Sequence, residues 1–271
     1  MRALNQPVSW WGWHWEPPVP MSVIELIQAG NMSSRLAALF WIGMERGASI
    51  IVAADPPSSG KTTTLSGLLA FTPPDTAVYF TRGDGETFAL PPLSPAYPTY
   101  ILINEISDHI PVYTWDDNAR RAFDLLPQGY RIASTMHADS VQGVVSQLRN
   151  DLQIPDSEVA QISFIVPLYI GRREGVIRRV REVSLSRAQA PDAEPITIAS
   201  WDSVNDSFDV LSGEEQYEAF AGWAGLLPAE LQKQMDTRQA LLDRLQDEGT
   251  TSIPEVNAAI EGFQEQAPKG A

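Results

Sequence analysis

The chain has 271 residues and a net charge of −15, with 34 acidic against 19 basic side chains and a pI near 4.5. So acidic a composition argues against an intrinsic nucleic-acid or anionic-membrane surface. Zero cysteines exclude disulfides and thiolate metal sites; three scattered histidines, His14, His109 and His137, suggest no zinc centre without carboxylate help.

Residues 1–20, MRALNQPVSWWGWHWEPPVP, have no apolar core of signal-peptide type, and no apolar run approaches the ~20 residues of a membrane span. A cytoplasmic protein is expected. Trp10, Trp11, Trp13 and Trp15 are packed among Gly and Pro. Indoles favour interfaces, so this leader either docks on a partner or neighbouring subunit or covers the domain's own core. Two helical patterns follow. Val23, Ile24, Leu26 and Ile27 mark the first; the second opens at Ser33 or Ser34 and runs through Leu36, Leu39, Phe40 and Met44 to a Gly47 cap.

Residues 50–69, IIVAADPPSSGKTTTLSGLL, carry the strongest signal. A β-branched apolar run ends in a loop, and a helical pattern opens near Lys61, the context in which backbone N–H groups and a helix dipole cradle phosphate. The implied ligand is a nucleoside triphosphate. Ser58, Ser59 and Gly60 form the loop, Lys61 reaches the terminal phosphates, and Thr62 coordinates Mg²⁺ through its hydroxyl, with Thr63 nearby. Asp55 stands where the first glycine of such loops is usual, and Pro56 and Pro57 remove N–H donors, which weakens the expected affinity.

Further strands are expected at about 77–81 and 99–104, apolar on both faces as a parallel sheet covered by helices requires. The second, YILINE, delivers Glu105 to the carboxyl end of the sheet, where an acid can hold Mg²⁺ or orient water. TWDDNARRAFDLLPQG reads as a helix ending near Pro127 and Gly129, and YRIAST as a strand presenting Ser134, Thr135 and His137. Helices follow at about 140–151 and 156–163. From 164 to 211 short strands suggest an antiparallel edge, with Arg172, Arg173, Arg178, Arg179 and Arg181 read as a solvated strand face. From 213 onward acidic helical patterns suggest a small bundle, and the last residues a frayed tail. The division is thus leader 1–20, nucleotide-binding domain 21–211, helical subdomain 212–266 and tail 267–271. His14 and His109 carry no functional expectation.

The order of these motifs resembles the secretion-type P-loop ATPases of type II and type IV secretion, pilus assembly and archaeal flagella. STMHADSVQGVVSQL is similar to that family's histidine box, ILINEISD to its Walker B strand, and TRGDGETFALPP occupies the place of its aspartate box. The carboxyl-terminal PAELQKQMDTRQALLDRLQDEGTTSIPEVNAAI is similar to the archaeal and tight-adherence pilus members. Over residues 18–266, the resemblance implies an α/β RecA-like P-loop core with a mostly parallel sheet, helices on both faces, a short antiparallel extension and a carboxyl-terminal helical bundle. It implies ATP and Mg²⁺ as cofactors and a ring, usually hexameric, attached to an inner-membrane platform protein. Nucleic acid is not an expected partner. Lys61 and Thr62 would bind phosphate and metal, Glu105 would be the Walker B acid, His137 the γ-phosphate contact and Asp84 the aspartate-box acid.

Departures fall on the catalytic positions. Gly83 replaces the box glutamate, Glu86 its arginine, Thr87 its second acid and Ser107 the arginine that follows the Walker B acid; the arginine-bearing helix after Pro91 and the family's large amino-terminal domain are not seen. Losing an arginine finger costs ~10³–10⁵ in rate; Arg82 is a candidate substitute. Two readings stay open: a motor ATPase with weak hydrolysis, or an inactive ATP-binding or structural accessory subunit.

Overall fold

The computed structural model describes residues 1–6, 20–172 and 174–266; the tryptophans of the leader, His14, Arg173 and the tail from 267 lie outside the described residues. A ten-stranded sheet organises the chain. Its strands are β1 (Arg2–Ala3), β2 (Ile50–Ala53), β3 (Ala77–Phe80), β4 (Thr99–Ile106), β5 (Arg131–Met136), β6 (Phe164–Arg172), β7 (Val176–Val180), β8 (Glu182–Leu185), β9 (Ile196–Asp202) and β10 (Ser207–Val210). They lie in the order β1-β3-β4-β5-β2-β6-β8-β9-β10, with β7 on β6. The pairs from β1 to β6 are parallel, and those joining β6 to β10 and β7 are antiparallel. The expected α/β class with a parallel sheet and an antiparallel extension is therefore what forms. Strand β1, within the segment read as leader, was not expected.

Alternation along β2 explains the layers. Ile50 and Val52 enter one hydrophobic cluster, Ile51 and Ala53 the other, as the two-residue period of a strand dictates. Helices α1 (Val23–Gln28), α2 (Ser34–Glu45) and α3 (Lys61–Leu69) cover the first face; α4 (Asp116–Phe123) and α5 (Val141–Ser146) cover the second. Ser22 caps α1 in a capping box with Glu25, Ser33 caps α2, and Gly47 at φ 77° follows α2. The expected helix at 140–151 is α5 continued by a π turn over Gln147–Asp151. The expected helix at 156–163 shortens to α6 (Asp156–Val159), because Ile162 and Ser163 already lead into β6.

Helices α7 (Glu214–Ala224), α8 (Pro228–Asp247) and α9 (Ile253–Gln266) share the first cluster with α2 through Phe220, Leu231, Met235, Leu242, Val256 and Ile260. Trp41 of α2 stacks on Phe71 at 5.0 Å and meets Phe263 of α9 edge-on. Arg238 lies over both Trp41 and Phe263 and pairs with Glu45. Gly43 lets α2 approach β6: a Cβ there would stand 2.2 Å from the Phe164 ring. Among the described residues no helix is long and apolar enough to cross a membrane.

Candidate functional site

The site begins where β2 ends. Asp55, Pro56, Pro57 and Ser58 turn the chain at the carboxyl edge of the sheet, with Ser58 at φ 57° and Gly60 at φ 94°, and α3 starts at Lys61. Those positive φ values are accessible to glycine at little cost and strained for serine. Ser59 is buried, and its hydroxyl has no hydrogen-bond partner among the described residues. Thr62 and Thr63 are half-buried in the first turn of α3.

Lys61 does not extend into solvent. Its ammonium donates to the Ala54 carbonyl at 3.1 Å and lies 3.8 Å from Glu105 Oε2. Burial lowers its pKa, opposed by the charges of Glu105 and Asp55.

A bulge in β4 sets the position of Glu105. Ile103 pairs with Ser134 and Ile106 with Met136, so β4 spends one residue more than β5 over this stretch, and the Glu105 carbonyl accepts from Thr114 N at 3.0 Å. Such an irregularity re-aims the side chains inside it. Glu105 is buried at 6% exposure, its carboxylate directed toward Lys61 and His137.

His137 follows β5. Its Nδ1 is 2.9 Å from the Asp55 carbonyl and its Nε2 is 3.1 Å from Glu105 Oε1, while Gln147 Nε2 donates to its backbone carbonyl at 2.7 Å. A carbonyl only accepts, so Nδ1 carries a proton. The contact with Glu105 favours the imidazolium and raises the pKa of His137, with burial and the charge of Lys61 opposing. The Glu105 contact is short but poorly aligned, for Oε1 is buried without a hydrogen bond of good geometry.

Thr135 Oγ1 donates to the Asn104 carbonyl and Ser134 Oγ to the Thr135 carbonyl, so both hydroxyls serve strand structure. Asp84 sits on an exposed 3-10 turn, its N–H donating to the Pro111 carbonyl, and lines an open depression with Trp115, Asp116, Asp117 and Arg121. The groups that meet around Glu105 are Lys61, His137 and one residue without a prior expectation, His109, whose Nδ1 is 4.0 Å from Glu105 Oε1. Its ring packs edge-on against His137 at 4.9 Å.

The arginine-rich stretch matches the expected solvated face only in part, at exposed Arg172 and Arg181. Arg178 of β7 reaches back to the loop and donates Nε and Nη2 to the Ser58 carbonyl at 3.2 and 3.0 Å. Arg181 donates to the Asp139 carbonyl just past His137. Arg179 is buried and clasps both carboxylate oxygens of Asp206 at 2.9 Å. The alternation of β7 throws 178 and 179 to opposite sides, a signal present in the sequence; which side meets the loop was not.

ATP and Mg²⁺ fit this loop in part. The Lys61 ammonium, the Gly60 turn and the unpartnered Ser59 hydroxyl suit an anion, whereas Pro56 and Pro57 contribute no N–H.

No family model matches the chain. It is 23% identical over 292 aligned positions to the uncharacterized protein MJ0900 of Methanocaldococcus jannaschii, covering 93% of this chain and 50% of that one. With the uncharacterized protein MJ1287 of the same organism it shares 22% identity, covering 82% and 90%. It thus spans half the length of MJ0900. Among solved structures it is similar to the VirB11 ATPase of the Brucella suis type IV secretion system, in complex with sulphate, with TM-score 0.40, 18% identity and coverage of 63% and 55%. The Yersinia pseudotuberculosis ATPase DotB aligns at TM-score 0.37, 15% identity and coverage of 91% and 63%.

Proposed function

We propose that the chain binds ATP with Mg²⁺ and acts as a secretion or pilus-type motor ATPase with slow turnover. The assembly would be a homomeric or heteromeric ring, such as a hexamer, on a membrane platform protein at the inner face of the cell membrane. One observation carries the reading: the loop lysine, the acid of β4 and the imidazole after β5 come from three distant segments and converge, Lys61 lying 3.8 Å and His137 3.1 Å from Glu105. A buried acid between a lysine and an imidazole is costly to build unless these groups are used.

In this reading Lys61 leaves Glu105 for the terminal phosphates, Ser58, Ser59, Gly60 and Thr63 line the loop, and Thr62 with Glu105 holds Mg²⁺. His137 follows the γ-phosphate, and Asp84 acts as an aspartate-box acid in the assembled ring. The bound metal would neutralise charge on the phosphates. Glu105 would orient the attacking water.

A specific observation supports the accessory alternative, an inactive ATP-binding or structural subunit. Glu86, at the position of an expected arginine, is buried and accepts from Tyr79 Oη at 2.6 Å, from Arg82 N at 2.8 Å and from Phe88 N. The Tyr79 pKa is pushed up to about 12 by burial first and by Glu86 next. That acid is a structural pin and supplies no cation. Phosphate release with Mg²⁺, measured beside Lys61→Ala, separates the two: turnover above ~1 s⁻¹ that the variant abolishes excludes the accessory reading. Absence of binding by a fluorescent ATP analogue would reject the motor reading and leave only a structural accessory subunit.

A further inference from the structure

We propose that Glu105, His109 and His137 form a binding site for a divalent transition-metal ion of borderline hardness, zinc or cobalt rather than magnesium. Their ligand atoms, one carboxylate oxygen and two ring nitrogens, all lie within 4.8 Å of one another. Two imidazoles beside one carboxylate match the donor preference of zinc, cobalt and nickel; magnesium prefers an all-oxygen shell.

Three independent details support the site. First, the Asp55 carbonyl takes the Nδ1 proton of His137, which leaves Nε2, 3.1 Å from Glu105 Oε1, as the nitrogen that ligates once a metal ion displaces its proton. A ligating histidine whose other nitrogen donates to a backbone carbonyl is the usual outer-shell arrangement of metal centres. Second, Oε1 is buried and accepts no well-aligned hydrogen bond among the described residues, so it is a ready ligand atom.

Third, the spacing suits coordination. Ligands ~2.0–2.2 Å from an ion are about 3–3.5 Å from each other. Nε2 and Oε1 are already 3.1 Å apart, and His109 Nδ1, at 4.0 Å from Oε1, is on an exposed side chain that can swing in. Solvent supplies the remaining positions on the His109 side. Lys61, 3.8 Å from the other carboxylate oxygen, weakens affinity by charge repulsion without blocking Oε1.

These ligands belong to the chain itself, and the site does not depend on nucleotide binding. The test uses tag-free, chelator-stripped full chain titrated with Co²⁺ alone, followed by visible absorption, with ATP-analogue binding measured in a separate titration. One equivalent should bind with the absorption of a nitrogen- and oxygen-ligated site. Zn²⁺ should displace it, and a large excess of Mg²⁺ should not. His109→Ala and His137→Ala should each weaken binding by at least about tenfold, the scale at which even outer-shell partners act. Because His109 is exposed, its variant should retain the wild-type circular dichroism and decides the matter if the His137 variant does not fold. No spectral change up to millimolar Co²⁺, full affinity in His109→Ala, or displacement by Mg²⁺ would each overturn the proposal, whatever the ATP titration gives.

Discussion

His137 Nε2 stands 3.1 Å from Glu105 Oε1, Glu105 lying in the bulge of β4 and His137 just past the end of the neighbouring β5. The pair ties the end of β5 to the end of β4, and through Asp55 it also ties both to the phosphate-type loop. Glu105 consequently has Lys61 at one carboxylate oxygen and the His137 imidazole, its pKa raised by this contact, at the other.

That pairing makes stability depend on pH. In metal-free protein the His137 pKa is raised above the ordinary 6.5, chiefly by Glu105. Its stabilisation is fully present below the unfolded-state value and is lost as pH rises through the folded one. The Tm should therefore fall between about pH 6.5 and the folded pKa, by a modest amount because the side chain is partly exposed. An NMR titration of the His137 ring should place its midpoint above that of a free imidazole, and His137→Gln should remove the slope in Tm.

Breaking the buried pair from one side should cost more than removing both charges. Lys61 and Glu105 are each under 10% exposed, so Lys61→Met leaves an acid with one cationic neighbour and should cost roughly 3 kcal/mol. Lys61→Met with Glu105→Gln should recover most of that loss in urea unfolding. Additive losses would mean that the two charges do not interact.

Arg178 should support the loop it holds. Its two N–H groups on the Ser58 carbonyl form a charge-assisted contact at ~1.5–3 kcal/mol, so Arg178→Ala should weaken ATP-analogue binding about tenfold with the fold intact. Arg178→Lys should rescue little, since a point charge lacks the two-pronged geometry. Unchanged affinity in Arg178→Ala would show that the contact is incidental.

The helix-to-sheet approach at Gly43 gives a packing test away from the site. Gly43→Ala places a methyl 2.2 Å from the Phe164 ring and should destabilise by about 1–3 kcal/mol, helix propensity notwithstanding. Adding Phe164→Leu should return part of the loss. A neutral Gly43→Ala would mean that α2 slides freely on β6.

Much of the architecture was legible from local pattern. The β-branched run before Ser58, the capping serine at 33, and Gly47 and Gly129 at helix or turn ends, with φ of 77° and 107°, mark their elements through short-range sterics and hydrogen bonding. Strand β1 was hidden because two residues have no periodicity, and α6 shrank because the apolar residues after Val159 belong to the approach to β6. The site was legible only as separate motifs. His109 gave no signal, since its place beside Glu105 and against the ring of His137 is set by the irregular turn that follows β4.

By itself the sequence determined the α/β class, the loop that opens α3 and the chemical types available at 61, 105 and 137, because these follow from residue-by-residue propensity and functional groups. Only the tertiary structure decided that Glu105 is turned by a bulge toward Lys61 and His137, that His109 joins them, and that Arg178 rather than Arg179 faces the loop. Those outcomes depend on strand register and on which sheet neighbours share an edge, quantities set by packing across the whole sheet and written in no single stretch of chain.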